Sequence, residues 1–353
     1  MAFCLSHTSA AAYWCWASRL EGISKSEQER ELEELAQEGI WDAEPAPLPQ
    51  EAACVLLSGP HTKSCSTLQP RINAKETAVF AAAHELSAPL HIGVCDQAFR
   101  QKKGATEGHV IAWCEDDAPF YPTPDGNDVI SPTMALIQLG RQLDMIDWLL
   151  LAYEFCGTYT LDPTIPAGFR ERAPLTSCQQ LADAVNNLDG MKGIKTVRRA
   201  LPYLCDGSAS PKETGLALCL LLPKRMSGFG LAKPQLNAEI ELGKAARKLY
   251  PRDTCRCDCH YAERALAVEY DSDAYHASEA EKDSDALRRA ALSLEGLEVV
   301  PVSFEQVKTY EGMAATAAII ARKLKKPAPK PSDEDAARNL HARLMGTHTH
   351  PWD

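Results

Sequence analysis

Three acidic residues in two neighbouring runs are the first that could do chemistry. Asp258 lies in TCRCDCHY (residues 254–261), and Glu269 and Asp271 lie in ALAVEYDSD (265–273). Both runs alternate. In the first, Cys255, Cys257 and Cys259 fall on one face and Arg256, Asp258 and His260 on the other. In the second, Leu266, Val268 and Tyr270 oppose Ala267, Glu269 and Asp271. Period-two alternation in two runs joined by the short AER turn predicts a β-hairpin. With strands about 4.8 Å apart and alternate residues about 6.6 Å apart, three carboxylates on one hairpin face can converge on a point. Such a cluster repels itself unless some members hold protons or a cation intervenes. Carboxylate oxygens plus water suit Mg²⁺ or Mn²⁺, and a metal so held can polarise a phosphodiester and activate water.

The flanking elements follow from caps and breakers. SASPKETGLALCLLLP places Ser210 at an N-cap, Pro211 at N1 and Glu213 at N3 of an apolar helix, a capping-box pattern. Glu213 either closes that box alone or adds a fourth carboxylate to the hairpin cluster. After the hairpin, residues 278–294 predict a helix ending at Gly296, LEVVPVS a strand, and residues 304–325 a last helix. The expected order is helix, strand, strand, helix, strand, helix.

The segments SPKETGLALCLLLP, CDCHYAERALAVEYDSDAYH and DALRRAALSLEGLEVVPVSFEQV resemble the nuclease core of the PD-(D/E)xK superfamily over residues 208–325. The nearest branch is the very-short-patch-repair endonucleases, whose second strand ends in Glu-x-Asp with a downstream His. The resemblance implies a restriction-endonuclease-like αββαβ core with Glu213 as the upstream helix acid. Asp258 would be the first-strand metal ligand, Glu269 and Asp271 the second-strand pair, and His276 the His that positions or activates water. Arg288 or Arg289 would face phosphate or pair with Asp285, and Lys323 joins them as a residue to test for nucleic-acid contact. The superfamily's usual Lys is absent, and Asp271 stands in its place. Upstream, SHTSAAAYW, SPTMALIQL and AYEFCGTY resemble bacterial proteins that join a region similar to abortive-infection antitoxins to such a nuclease-like region.

Residues 1–205 read as a mixed α/β region without self-evident chemistry. A helix is predicted near residues 9–20, an acidic helix between Glu27 and Glu38, a helix at 74–86, and strands at 89–95 and 109–114. DAPFYPTPDGND is predicted as a surface loop. Ser131-Pro132 opens a helix, and MIDWLLLAYEFCG is too apolar to be a surface. Residues 327–353 read as a Pro-rich charged tail, with His348 and His350 near a mobile end. His84 and His91 read as satisfied core histidines.

Other patterns lead away from chemistry. Cys255, Cys257, Cys259 and His260 have zinc-ligand types, but i, i+2 sulfurs on a strand start nearly 7 Å apart, and buried small residues are the better reading. GFG lacks the Lys-Ser/Thr of a phosphate loop. The 353 residues are 45% hydrophobic and 24% charged, which excludes a disordered, collagenous or membrane-embedded chain. With no export signal, thirteen cysteines of odd count point to reduced thiols and the cytoplasm. The net charge of −11 includes −8 between Glu27 and Glu51, leaving −3 for the rest, so charge does not exclude nucleic acid.

The sequence thus leads to an α/β protein of two parts. Residues 1–205 are expected to position the second part or bind a protein partner. Residues 206–326 are expected to be a metal-dependent endonuclease acting on nucleic acid, with DNA favoured, in bacterial defence or repair. The alternative is a non-catalytic, antitoxin-like regulator that binds nucleic acid or protein and keeps the nuclease fold.

Overall fold

A computed structural model describes residues 3–21, 61–62, 74–100, 102–111, 119–123, 125–188, 190–271 and 279–353. The acidic helix expected between Glu27 and Glu38, and His276, lie outside the described residues. The chain is mixed α/β and divides into two compact units. One comprises Met1–Phe155, Tyr159–Pro202 and Thr349–Asp353; the other comprises Cys156–Thr158 and Tyr203–His348. Among the described residues no helix is long and apolar enough to cross a membrane.

The first unit is built on a mixed seven-stranded sheet. Its strands are β1 (Cys4–Leu5), β2 (His61–Thr62), β3 (Leu90–Val94), β4 (Lys102–Lys103), β5 (Thr106–Val110), β6 (Pro119–Pro122) and β7 (Asp128–Ile130), in the order β2-β6-β7-β1-β3-β5-β4. Helix α1 (His7–Glu21) buries Tyr13, Trp14 and Trp16, and the Trp14 indole donates to the Ile130 carbonyl at 2.8 Å. Helix α2 (Ala74–Ala83) precedes β3. The loop expected around residues 117–128 contains β6 instead. Phe120 is fully buried and pairs with Ile130, so one aromatic anchor outweighs the prolines on either side of the pair.

Ser131 caps α3 (Pro132–Leu139), its hydroxyl accepting from the Met134 N–H at 3.3 Å. Helix α4 (Met145–Cys156) buries Trp148, Leu149, Tyr153 and Phe155, as its composition demands. A short hairpin, β8 (Tyr159–Leu161) with β9 (Phe169–Glu171), and helices α5 (Cys178–Asn187) and α6 (Ile194–Ala200) follow.

The second unit begins with α7 (Pro211–Leu221), whose residues from Thr214 to Leu221 are all buried. Its sheet has four strands in sequence order: β10 (Gln235–Glu241), β11 (Thr254–Tyr261), β12 (Leu266–Asp271) and β13 (Glu298–Ser303). The first three are antiparallel, while β12 and β13 are parallel and joined through α9 (Glu279–Leu294). Strand β10 and the short helix α8 (Ala246–Leu249) were not expected, although QLNAEIE alternates polar and apolar residues; Leu236 is buried and Ile240 packs against a core cluster. The last helix expected at 304–325 is two: α10 (Phe304–Val307), then α11 (Tyr310–Lys323), capped afresh by Thr309.

The expected tail is ordered. Asp333 caps α12 (Glu334–Met345), and α12 packs on α7 where Gly215 lets backbones approach; a Cβ there would lie 2.2 Å from the Leu344 carbonyl oxygen. The Lys212 ammonium donates to the Met345 and Gly346 carbonyls at 2.5 and 2.9 Å, closing the helix end. His350, expected in a mobile end, is buried within the first unit. Pro-rich and charged composition at 326–335 hid the amphipathic run that follows it.

Candidate functional site: a carboxylate pair where two strands part

The β11–β12 ladder runs Tyr261↔Leu266, His260↔Ala267 and Cys259↔Val268. Beyond it, side chains take over from backbone. The Tyr270 N–H donates to Asp258 Oδ2 at 2.6 Å, and the Asp258 N–H donates to Glu269 Oε1 at 3.4 Å. Each carboxylate therefore reaches across to the other strand, and the two acids meet at the mouth of the hairpin.

The faces differ from simple alternation. Cys255 and Cys257 pack with Ala246, Ala267, Ala291 and Leu292 in one core cluster, whereas Cys259 pairs with Val268, one residue from Ala267 and so on the opposite face. On the other side of β11, β10 pairs Leu236↔Cys259 and Ala238↔Cys257, and Asn237 between them sits at φ 46. The regular alternation breaks at that point. As a result the Cys257 thiol hydrogen-bonds Glu269, where cysteines and acids were expected on opposite faces. Among the described residues the three cysteines form no common metal-ligand group; all are free and buried, Cys255 and Cys257 in one core cluster.

Asp258 and Glu269 are both buried. Burial raises the Asp258 carboxyl to about 8, helped by the charges of Glu269 and Glu213; the Tyr270 N–H and Arg288 pull the other way. Burial also raises Glu269, against the pull of Arg288, the Cys257 thiol, the Asp258 N–H and Arg289. Arg288 Nη2 lies 2.8 Å from Glu269 Oε2, and its Nε is 3.7 Å from Asp285. The contact to Oε2 is close but poorly aligned, so Oε2 lacks a proper hydrogen bond among the described residues.

Glu213 serves two readings at once. The Ser210 hydroxyl accepts from the Glu213 N–H at 3.1 Å and donates to Glu213 Oε1 at 3.0 Å, while the Ala209 N–H, in place of the cap's own N–H, donates to Oε2 at 3.0 Å. The same carboxylate accepts from the Asn237 amide at 2.7 Å. Asn237 also donates to the Gly207 carbonyl, so a left-handed Asn ties β10 and the α7 cap to the site. The polar–apolar alternation of QLNAEIE is the signal that could have found strand β10 and with it Asn237.

The remaining candidates spread out. Asp271 ends β12, half-exposed and paired in register with Ser303. Arg289 is half-buried beside Glu269, and Lys323 pairs with Glu298 on β13. Among the described residues, Asp258, Glu269 and Glu213 are not a set with every donor within 4.8 Å of the others. Asp258 and Glu269 are the closely joined pair. Two buried carboxylates, one with an oxygen that lacks a hydrogen bond among the described residues, fit a hard divalent cation in chemistry.

The first unit holds features the sequence did not single out. His91 Nδ1 and His109 Nε2 are 2.7 Å apart, and the His7 ring lies 4.0 Å from that of His109. Burial lowers His7 to about 3 and His109 to about 4, so these imidazoles are neutral at pH 7. His84 is a satisfied core residue, bonded to the Phe80 carbonyl and facing Asp125. Compared with protein-family models, curated proteins and solved structures, the chain matches none of them.

Proposed function

We propose that residues 203–348 form a metal-dependent endonuclease unit of the restriction-endonuclease-like kind. The observation that carries this reading is the meeting of Asp258 and Glu269 at the parting of β11 and β12, both buried and with Glu269 Oε2 left without a hydrogen bond among the described residues. The αβββαβ order of the second unit is compatible with it. Mg²⁺ or Mn²⁺, when bound, would neutralise the carboxylates and supply Lewis-acid activation of phosphodiester and water.

The residues of this chain have distinct parts in such a site. Asp258 and Glu269 would hold the ion, the Tyr270 N–H fixing one Asp258 oxygen. Glu213, oriented by Ser210 and Asn237, adds negative potential. Asp271, two residues beyond Glu269 on the same strand, would orient water at the open end. His276 keeps its expected role as acid or base. Arg289, half-buried beside Glu269, and Lys323 are the first cations to test against a phosphate backbone, with DNA the favoured substrate.

A second reading is favoured by one contact. Arg288 already places its guanidinium on Glu269, where a cation would otherwise sit, and that suits a non-catalytic binding protein of the same architecture. Cleavage of plasmid, single-stranded DNA and RNA with Mg²⁺ or Mn²⁺, beside an Asp258→Ala/Glu269→Ala variant, separates the two. Metal-dependent cutting lost in the variant supports the enzyme. Equal behaviour of both proteins on all three substrates removes it and leaves the binding protein.

A further inference from the structure

Helix α4 carries one charged residue inside its apolar run LLLAYEFC. Glu154 is only 2% exposed. Its carboxylate is built into place: the Thr160 hydroxyl and the Leu161 N–H donate to Oε1 at 2.9 and 3.0 Å. His350 Nε2 lies 3.1 Å from Oε1 and 2.9 Å from Oε2. Cys15, on α1, completes the group. The thiol sulfur, a Glu154 oxygen and a His350 ring nitrogen all lie within 4.8 Å of one another, and all three residues are buried in the first unit.

The outer surroundings are those of ligands. His350 turns its other nitrogen, Nδ1, toward Asp353 Oδ2 at 3.7 Å, and the Asp353 carboxylate also accepts the His350 N–H at 3.0 Å. Trp352 stacks on the imidazole at 4.7 Å and an interplanar angle of 13°. A carboxylate behind a histidine, and hydroxyl and amide donors behind a carboxylate, orient first ligands in metal sites.

We propose that Cys15, Glu154 and His350 form a zinc site in the first unit, distinct from the carboxylate pair of the second. Thiolate, imidazole and carboxylate are zinc donors, and three of them leave a fourth position for water or another donor. Charge balances in both states. Without metal the group is a neutral thiol, an imidazolium and a carboxylate, with no net charge. With Zn²⁺ it is a thiolate, a neutral imidazole and a carboxylate around a dication, again with none. Loading therefore exchanges the metal for two protons, one from the Cys15 sulfur and one from the His350 ring. Burial and the Glu154 charge hold the Cys15 thiol protonated without metal, against the pull of His350 and Arg172; the Arg172 guanidinium donates to the Glu154 and Ala173 carbonyls. The pair Glu154–His350 holds the group together until the ion arrives.

The test uses the full chain, stripped with a chelator and titrated with Co²⁺ and then with Zn²⁺ in competition. A thiolate-to-cobalt band in the near ultraviolet is expected, lost in Cys15→Ser and His350→Ala and kept in Cys95→Ser, with affinity falling by about 100-fold or more. Circular dichroism establishes that each variant is folded. Calorimetry on the unmutated chain, in buffers of different ionisation enthalpy, is expected to show about two protons released per metal near pH 7. Absence of the band, its survival in both ligand variants, or release near zero overturns the proposal.

Discussion

Replacing Asp258 by Asn removes an ionisable group that the native structure holds as the neutral acid. Its carboxyl titrates at about 8 in the native state, against an ordinary 3.8. A carboxyl with a raised native pKa keeps a proton that the unfolded chain releases. Its contribution to stability is full below about 4 and falls as pH rises to about 8. Each pH unit in that window costs about 1.4 kcal/mol, so the whole window is worth up to about 6 kcal/mol. Because Glu269 shares the site, the proton belongs to the pair. The amide of the Asp258→Asn variant keeps an acceptor for the Tyr270 N–H and carries no charge. The variant is therefore expected to gain on wild type by about 3 kcal/mol between pH 6 and pH 8, and by little more above that. The assay is guanidinium unfolding at several pH values in chelator, followed by circular dichroism and by tryptophan fluorescence. None of the six tryptophans falls within residues 203–348, so a transition seen only by dichroism belongs to the second unit. Adding Mg²⁺ should stabilise wild type and not the variant, narrowing the gap. Parallel stabilities of the two proteins from pH 6 to pH 8 would refute the crowding of the carboxylates.

Three further outcomes follow from the same reasoning. In chelator, Glu154→Gln or His350→Ala leaves a buried partner unmatched and is expected to cost about 3–5 kcal/mol in the tryptophan-detected transition. Burial alone would raise Glu154, but the charge and hydrogen bond of His350 hold it down at about 2, while the charges of Cys15 and Glu154 hold His350 well above its ordinary range. The pair's contribution is then full between about pH 4.5 and 6.5, fading in acid as Glu154 protonates and in base as His350 loses its proton; a flat profile in wild type would contradict this. Ser210→Ala removes the α7 cap and should lower the stability of the second unit by about 1 kcal/mol, measured by the same dichroism. His7 is held neutral down to about pH 3, so the unfolded chain binds its proton first as pH falls below 6.5; His7→Asn is expected to flatten the acid loss of the first unit across that range, read as the slope of stability with pH.

What could be read in advance depended on range along the chain. The Ser131 and Ser210 caps, the β11–β12 hairpin and the helix between β12 and β13 rest on neighbours within a few residues, where periodicity and capping chemistry speak directly. The proximity of Asp258 and Glu269 follows from a hairpin. The break in alternation does not, because it depends on the left-handed backbone of Asn237 on a neighbouring strand, and the regular polar–apolar pattern of QLNAEIE does not mark that bend. The group at Cys15, Glu154 and His350 has no spacing to recognise: the last two are 196 residues apart. The one local sign was a lone Glu in an apolar helix, which invites a search for its partner without saying where it lies. Phe120 shows the limit in the other direction, since one fully buried ring made a strand of a stretch with the composition of a loop.

The return of residues 349–353 to the first unit sets an order of assembly during synthesis. A ribosome making this chain completes every residue of the second unit before it supplies the imidazole that Glu154 awaits. Until then a carboxylate on a nascent helix lacks its histidine partner, with only the Arg172 charge to offset its burial. The first unit can therefore condense early only in an unfinished form, and its final closure waits on the passage of the whole second unit. A chain that stalls or is cut between residues 203 and 348 leaves that gap open. The defect lies far along the chain from the break, in a region whose own sequence is intact.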